Sequence, residues 1–451
     1  MLDDLDPLIR AAMAEWQIPG LAVAVVHRDE PVLVHAYGQR DLEAALPVTT
    51  DTQFLLCSIT KTFTATGLAM LADQRLLDWH KPVREYLPEF RLHDAVATER
   101  VTVADLLCHR TGLPRHDWVH MPADRSRAEL LAAMQHLEPS RDIRQSFQYQ
   151  NLGYLAAGMV AEQISGQSWE AFTRRRILEP LGMRQAGFSA ESLAQATDAA
   201  RAYVSQDNTV RRTEYWPISV APAGAITAAI SDMVPYLCFL LAGGSFDGNR
   251  LLSAANLRLL QTPHVHAGRS EFDEIGDLQY GYGFGCTHYR GERSVGHSGG
   301  WIGWSTRLDM LPDRKLGVVV LTNHSPSPVP GMLCHAVFDR LSAPLEPMVS
   351  DIVFRRLPAG EATDPAFRAA CAGTHRGGST LHVVVLDADG QLRLSPAGQP
   401  TYQLVPYQGA TFTVAPLEGY RVEFQRGAGD AVETIIFHQP NGTFRARRVD
   451  G

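Results

Sequence analysis

Ser58-Ile59-Thr60-Lys61 sets a hydroxyl and an amine three residues apart, the offset that places two side chains on one face of a helix. A serine hydroxyl attacks a carbonyl poorly at neutral pH unless a neighbouring base takes its proton. A partly desolvated lysine among other positive or donor groups can lose its own proton and become that base. If Ser58 occupies the first turn of its helix, the free backbone N–H groups there favour the oxyanion formed on attack. Alone, the pattern also fits an N-cap serine followed by an exposed lysine. Thr60, Thr62, Thr64 and Thr66 alternate as β-branched residues do in a strand. Leu68, Met70, Leu71 and Ala72 continue an apolar, helix-compatible run to Asp73, too long for a typical strand, so the whole stretch is predicted to be a buried helix.

Two later signals add chemistry. Tyr149-Gln150-Asn151 places a phenol and a carboxamide two apart, which in a loop or turn can aim both at one small volume, the phenol to relay a proton and the amide to hold a substrate carbonyl. Gly296-His297-Ser298-Gly299-Gly300 supplies an imidazole inside a glycine-rich segment, followed by a strand-like stretch from Trp304 to Leu311. Glycines there let backbone approach a ligand closely and offer it an N–H.

The order Ser-x-x-Lys, Tyr-x-Asn, His-x-Gly resembles the penicillin-recognising serine hydrolase superfamily, which includes class C β-lactamases, D-Ala-D-Ala carboxypeptidases, D-aminopeptidases and related esterases. Ile18-Pro19-Gly20, Leu106-Leu107-Cys108-His109-Arg110-Thr111-Gly112-Leu113, and Pro222-Ala223-Gly224-Ala225 ahead of Ser231-Asp232-Met233 agree with it. The resemblance runs from about residue 5 to about residue 340. It implies that Ser58 is the acylated nucleophile, that Lys61 activates it, that Tyr149 carries the proton to the leaving group and that Asn151 binds the acyl-side amide. His297 stands where class C β-lactamases carry a lysine. It is expected to bias the proton equilibrium of Tyr149 or to hold an acidic or carbonyl group of the substrate. Ser298, Gly299 and Gly300 are expected to line the substrate site, with the backbone N–H groups of Ser58 and Gly300 as the oxyanion hole, where one such donor is worth about 3 kcal/mol.

Other histidines read differently. His109 sits in the Leu-Leu-x-His turn and is expected to bond backbone. His116 with His120, and His264 with His266, have spacings that could clip a metal, but no third ligand accompanies either pair. No metal and no cofactor is expected. Cys57, Cys108, Cys238, Cys286, Cys334 and Cys371 show no CxxC spacing and are expected to be reduced. Cys57 adjoins the serine but has no activating base placed by the sequence.

With 451 residues, 45% hydrophobic and 20% charged, the chain is long enough for two or three domains with substantial cores. A formal charge of −8 and the lack of a basic stripe argue against nucleic acid. The start Met1-Leu2-Asp3-Asp4-Leu5-Asp6 lacks the features of an export signal. No run of about 18 apolar residues suggests a membrane span. The reading is a cytoplasmic protein whose partner is a small peptide or peptide-like substrate, with a homo-oligomer left open.

The expected fold class is α/β (α+β), an antiparallel sheet flanked by helices with a helical subdomain, over residues 1–345. A lipocalin-like antiparallel β-barrel follows over 346–451. Leu5 to Trp16 has helical spacing. Leu21 to His27 and Pro31 to Tyr37 form a hairpin with Asp29-Glu30 near its turn, and Ser305 to Leu311 and Leu316 to Thr322 form another around Pro312-Asp313. These strands are expected to share one sheet, with helices over Leu152 to Ser165 and Ser231 to Leu241 nearby. After Pro344, Pro347 and Met348, short runs recur roughly every ten residues. Val383 to Asp387 pairs with Gln391 to Ser395 around Asp389-Gly390. Arg421 to Gln425, Thr434 to His438 and Thr443 to Val449 follow, the last two joined through Asn441-Gly442. Val422 and Phe424 alternating with Arg421 and Glu423 suit a small barrel with one filled face.

The expected activity is hydrolysis or transfer of an amide or ester acyl group through acyl-Ser58, on a small peptide containing a D-residue. Histidine at 297 points to the peptidase members and to weak lactam hydrolysis. An esterase and a penicillin-binding-type thioesterase that cyclises peptides are the alternatives within the superfamily. A non-catalytic peptide binder is the alternative outside it.

Overall fold

The computed structural model describes residue 2 and residues 4–120, 125–206, 209–215, 217–269, 275–342, 364–377, 381–396, 401–415, 421–427, 431–439 and 442–449. The chain divides into two compact units, Met1–Met348 and Val349–Gly451. The boundary signals at Pro344, Pro347 and Met348 lie outside the described residues, as does Asn441.

The first unit is built on a nine-stranded antiparallel sheet. Its strands are β1 (Gly20–His27), β2 (Glu30–Asp41), β3 (Leu46–Pro47), β4 (Val265–Gly268), β5 (Leu278–Tyr280), β6 (Gly285–Tyr289), β7 (Glu292–Trp301), β8 (Trp304–Leu311) and β9 (Leu316–Thr322), in the spatial order β4-β5-β6-β7-β8-β9-β1-β2-β3. The register Leu21↔Thr322 through His27↔Leu316 joins N- and C-terminal strands of this unit in the sheet interior. Both strands are buried along nearly their whole length. Hence their uninterrupted Val, Ala and Leu runs, in place of the alternation of a half-wet strand.

The β1–β2 turn falls one residue earlier than the sequence suggests. Arg28 and Asp29 both have positive φ, 55° and 70°, the pattern of a type I′ hairpin turn. Glu30 already belongs to β2. In the second hairpin a short turn over Pro312–Arg314 links β8 to β9.

Five helices frame the sheet and the site: α1 (Leu5–Glu15), α2 (Thr60–Asp73), α3 (Asn151–Ser165), α4 (Ile230–Leu241) and α5 (Val329–Ser342). Helix α4 packs on β1 and β9, and α5 on β8 and β9. Helix α2 is buried continuously from Thr60 to Leu71, against α3 and the segments Ala221–Gly224 and Ala254–Leu260. Its strand-like threonines are accommodated by local and tertiary bonds. Thr62 Oγ1 donates to Ile59 O at 2.8 Å, Thr64 Oγ1 to Pro222 O at 2.7 Å, and Thr60 Oγ1 accepts from Ile226 N–H at 3.1 Å. Full burial outweighs the small helix penalty of β-branching. Among the described residues, no helix is long and apolar enough to cross a membrane.

The second unit is a closed eight-stranded antiparallel barrel in chain order: β10 (Gly373–Gly377), β11 (Leu381–Ala388), β12 (Gln391–Pro396), β13 (Tyr402–Gln408), β14 (Thr411–Ala415), β15 (Arg421–Arg426), β16 (Val432–Gln439) and β17 (Gly442–Arg448). Closure is made by β10 and β17, through His375↔Arg448 and Arg376↔Arg447. Val422 and Phe424 point into the core, together with Leu394, Leu404, Phe412, Ile435 and Ala446. A helix over Pro365–Cys371 adds Phe367 and Cys371 to it. An eight-stranded barrel has just the width that side chains fill. The Asp389-Gly390 turn has φ of 53° and 73°, again type I′.

Candidate active site

The site begins at a sharp bend. After the strand Gln53–Leu55, the chain makes a 3₁₀ turn over Cys57–Ile59 and enters α2. Cys57 has a φ of 52°, a left-handed conformation that costs a non-glycine residue roughly 1–2 kcal/mol. Ser58 therefore lies at the helix entrance, where backbone N–H groups lack intrahelical partners. Strand β7 packs on this turn. A Cβ at Gly299 would lie 2.5 Å from Leu56 O and 2.2 Å from Thr306 Oγ1, so only glycine permits that approach.

Lys61 is wholly buried. Its Nζ is 3.1 Å from Ser58 Oγ, 2.9 Å from Asn151 Oδ1 and 2.9 Å from Ala223 O. Burial, and next the positive charge of Arg115, hold its pKa well below the ordinary lysine value. A neutral amine has two hydrogens and one lone pair. With the hydrogens directed at Asn151 and Ala223, the lone pair remains for the Ser58 hydroxyl. Tyr149 Oη donates to Ser58 Oγ from the other side, at 2.9 Å. The chain of donors thus runs from phenol to hydroxyl to amine.

Tyr149 and Asn151 are aimed by a helix start. Gln150 is the N-cap of α3, its side-chain oxygen accepting from Gly153 N–H at 2.6 Å. Its own N–H donates to His109 Nδ1 at 3.0 Å, the backbone bond expected of His109. The His109 ring lies 4.3 Å from the Tyr149 ring, and burial keeps it neutral. Asn151 is the first residue of α3. Its Oδ1 accepts from Lys61 and its Nδ2 donates to Asp117 Oδ1 at 3.3 Å, so both ends of the carboxamide have protein partners.

The glycine-rich segment around His297 is part of β7, and His297 is 6% exposed. Its Nδ1 lies 2.5 Å from Ser298 O, and Tyr280 Oη lies 2.7 Å from its Nε2. A carbonyl only accepts, which assigns the proton to Nδ1 and leaves Nε2 to accept from Tyr280. The ring centroid is 6.3 Å from that of Tyr149. Burial, and next the charge of Lys61, push its pKa down to about 3, so the imidazole is neutral. Ser298, Gly299 and Gly300 pair with Arg307, Thr306 and Ser305 of β8. Pairing on the other edge ends at Gly285↔Gly296, so among the described residues the edge from His297 onward has no strand partner.

Four residues around this centre were not evident as parts of it: Tyr280, Arg115, Asp117 and His120. Tyr280 lies in the aromatic-glycine run Tyr280-Gly281-Tyr282-Gly283, a signal that could have marked it. Arg115 pairs with Asp117, whose Oδ1 lies 3.1 Å from His120 Nε2. Burial pushes the Asp117 carboxyl up, but Arg115 and His120 outweigh it and hold its pKa down at about 2. His264 Nε2 bonds Leu259 O. Among the described residues no cluster of three or more His, Cys, Asp or Glu could hold a metal. The six cysteines are free, all but Cys238 buried.

Residues 5–336 match the Beta-lactamase family model, and the chain belongs to that family, whose members are serine hydrolases acting through an acyl-enzyme. It is similar to an unguisins hydrolase of Aspergillus violaceofuscus, with 26% identity over 371 residues, 76% of this chain and 65% of the relative. The match thus spans just under two thirds of that relative's length. Among solved structures it is similar to the octameric penicillin-binding protein homologue of Pyrococcus abyssi, with a TM-score of 0.68, 23% identity and 99% of each chain covered. It is also similar to a D-amino acid amidase of Ochrobactrum anthropi, with a TM-score of 0.60, 23% identity, and 72% of this chain and 92% of that one covered. These last two likenesses are likenesses of fold.

Proposed function

We propose that this protein hydrolyses an amide or ester acyl group of a small peptide-like substrate through an acyl-Ser58 intermediate, with a D-residue in the preferred substrate. One observation carries the reading: Ser58 Oγ lies within hydrogen-bond reach of both a wholly buried Lys61 and the Tyr149 phenol. In acylation Ser58 Oγ bonds to the carbonyl carbon while its proton passes to Lys61 Nζ. The backbone N–H groups of Ser58 and Gly300 hold the resulting oxyanion. Collapse breaks the bond to the leaving amine or alcohol, which takes its proton from Tyr149 Oη, and Lys61 returns a proton to the phenolate. Water then attacks the acyl carbon, giving its proton to the Lys61–Tyr149 pair, and the bond from Ser58 Oγ to that carbon breaks as the pair returns a proton to Ser58 Oγ, releasing the acid.

The family membership and the unguisins hydrolase relative support hydrolysis of this type. The D-residue rests on the resemblance to peptidase members that carry histidine where lactamases carry lysine. Asn151 would present its second Nδ2 hydrogen to the acyl-side amide, and Ser298 to Gly300 would pair with the substrate along the open edge of β7.

A fluorophosphonate probe should add one adduct to the protein by intact mass, and Ser58→Ala or Lys61→Ala should abolish it. D-aminoacyl amides, D-Ala-D-Ala peptides, nitrophenyl esters and a β-lactam are then compared side by side. Turnover of D-aminoacyl substrates with little lactam hydrolysis is expected. Ester cleavage without amide turnover would replace the peptidase reading with an esterase, and a folded protein that resists the probe would leave a binder.

A further inference from the structure

His116 has φ 46° and ψ 39°. This left-handed residue reverses the chain so that its neighbours Arg115 and Asp117 meet in an ion pair. The pair closes a circuit around the nucleophile. Asp117 Oδ1 accepts from Asn151 Nδ2, Asn151 Oδ1 accepts from Lys61 Nζ, Lys61 meets Ser58, and Ser58 accepts from Tyr149. The Arg115 guanidinium carbon then lies 5.2 Å from the centre of the Tyr149 ring, a cation–π distance. His120 anchors the carboxylate, and its own backbone carbonyl accepts from Ser219 Oγ at 2.6 Å.

We propose that the Arg115–Asp117 pair is a positioning device for the nucleophilic centre, which orients the Asn151 carboxamide toward Lys61 and sets the charge felt by the lysine and by Tyr149. It rests on the acyl-enzyme reading of Ser58. The two charges act on Lys61 in opposite senses: Arg115 disfavours a second cation and Asp117 favours one. The other titratable groups facing Lys61 are Ser58 and Cys57 of the turn, Tyr149, Tyr154 of α3 at 5.3 Å, and the buried neutral rings of His109 and His297. Tyr280 stands behind His297, and His120 behind Asp117.

The test is the pH dependence of the fluorophosphonate labelling rate of the full chain. Arg115→Gln leaves Asp117 alone beside the lysine and should move the acid limb up by about one pH unit, with roughly tenfold slower labelling near that limb. Asp117→Asn should move it the other way, and the double variant should return it toward the wild type. Arg115→Lys, which keeps the charge and the fold, should leave the limb in place. A pair that merely ties down the loop would lower the rate with the limb unmoved in all four, and that result overturns the proposal. So does a limb that vanishes in His120→Gln, which would assign it to that imidazole. If the wild type itself is not labelled, the acyl-enzyme reading fails instead.

Discussion

Lys61 has no exposed surface, yet its nitrogen is bonded on three sides. Burial disfavours its charge and costs folding free energy whenever the unfolded chain holds a proton that the native state does not. Between its depressed native value and the ordinary 10.5, the unfolded state binds one more proton, so stability conferred by the native lysine rises with pH and is lost as pH falls. Lys61→Met removes this term while leaving Asn151 Oδ1 and Ala223 O with one partner fewer. The absolute stability difference therefore mixes two effects, but its slope does not. Wild type should gain on Lys61→Met by about 1.4 kcal/mol per pH unit inside that window, measured by denaturant melts at several pH values. Parallel stability curves would show that the lysine stays protonated. The pairs Ser58–Lys61 and Tyr149–Asn151 were legible in the sequence as side chains of suitable chemistry at short offsets. Arg115, Asp117 and Tyr280 were not. Their meaning comes from partners on other elements, as does the placing of His297, whose Nε2 accepts from a tyrosine 17 residues away.

At the scale of elements, the close approach of β7 to the Cys57–Ile59 turn decides whether the nucleophile and the edge of β7 face one another. Gly299→Ala would drive a methyl group into Leu56 O and Thr306 Oγ1, backbone and side chain of two neighbouring elements, which cannot both yield. Fluorophosphonate labelling of Ser58 is expected to fall at least about tenfold, since a misplacement of about 1 Å can cost a hundredfold, while circular dichroism remains that of a folded chain. Gly268→Ala, on β4, has open space around the new methyl and no positive φ, and should label at the wild-type rate. Equal rates in the two variants would remove the packing argument. Periodicity and turn chemistry revealed the β1–β2 and β8–β9 hairpins of the main sheet and the helix after Ser58. They failed where a local rule was overridden. The strand Tyr402–Gln408 contains Pro406, next to a register irregularity, and a proline within a run demotes a strand when only the sequence is in hand. Gly373–Gly377 is bounded by glycines that read as turn residues, although it closes the barrel.

At the scale of the whole chain, the two units have separate cores. The described buried hydrophobic residues of the first unit run to Phe338, and those of the second begin at Phe367. The change of character near residue 345 is visible in the sequence because helix-length runs give way to short alternating ones, and that contrast needs no tertiary information. What stays hidden is how the barrel fills itself. Phe424 is 2% exposed and meets Phe412 and Phe367 edge to face, with ring centroids 5.5 and 6.4 Å away; Phe367 comes from a helix that the strand pattern does not announce. Truncating a buried phenylalanine costs about 3–5 kcal/mol through lost burial and the cavity left behind. A barrel of about a hundred residues rarely has more than 5–15 kcal/mol of stability to lose. Phe424→Ala should therefore move a separate, low-enthalpy transition in calorimetry downward by more than 10 °C. The larger transition and the probe labelling of Ser58 measured below both midpoints should stay as in the wild type. A single transition that shifts as a whole, with labelling lost in step, would mean that the barrel core and the nucleophile's surroundings melt as one cooperative unit. The C-terminal unit would then have to be counted as part of what holds Ser58, Lys61 and Tyr149 in register.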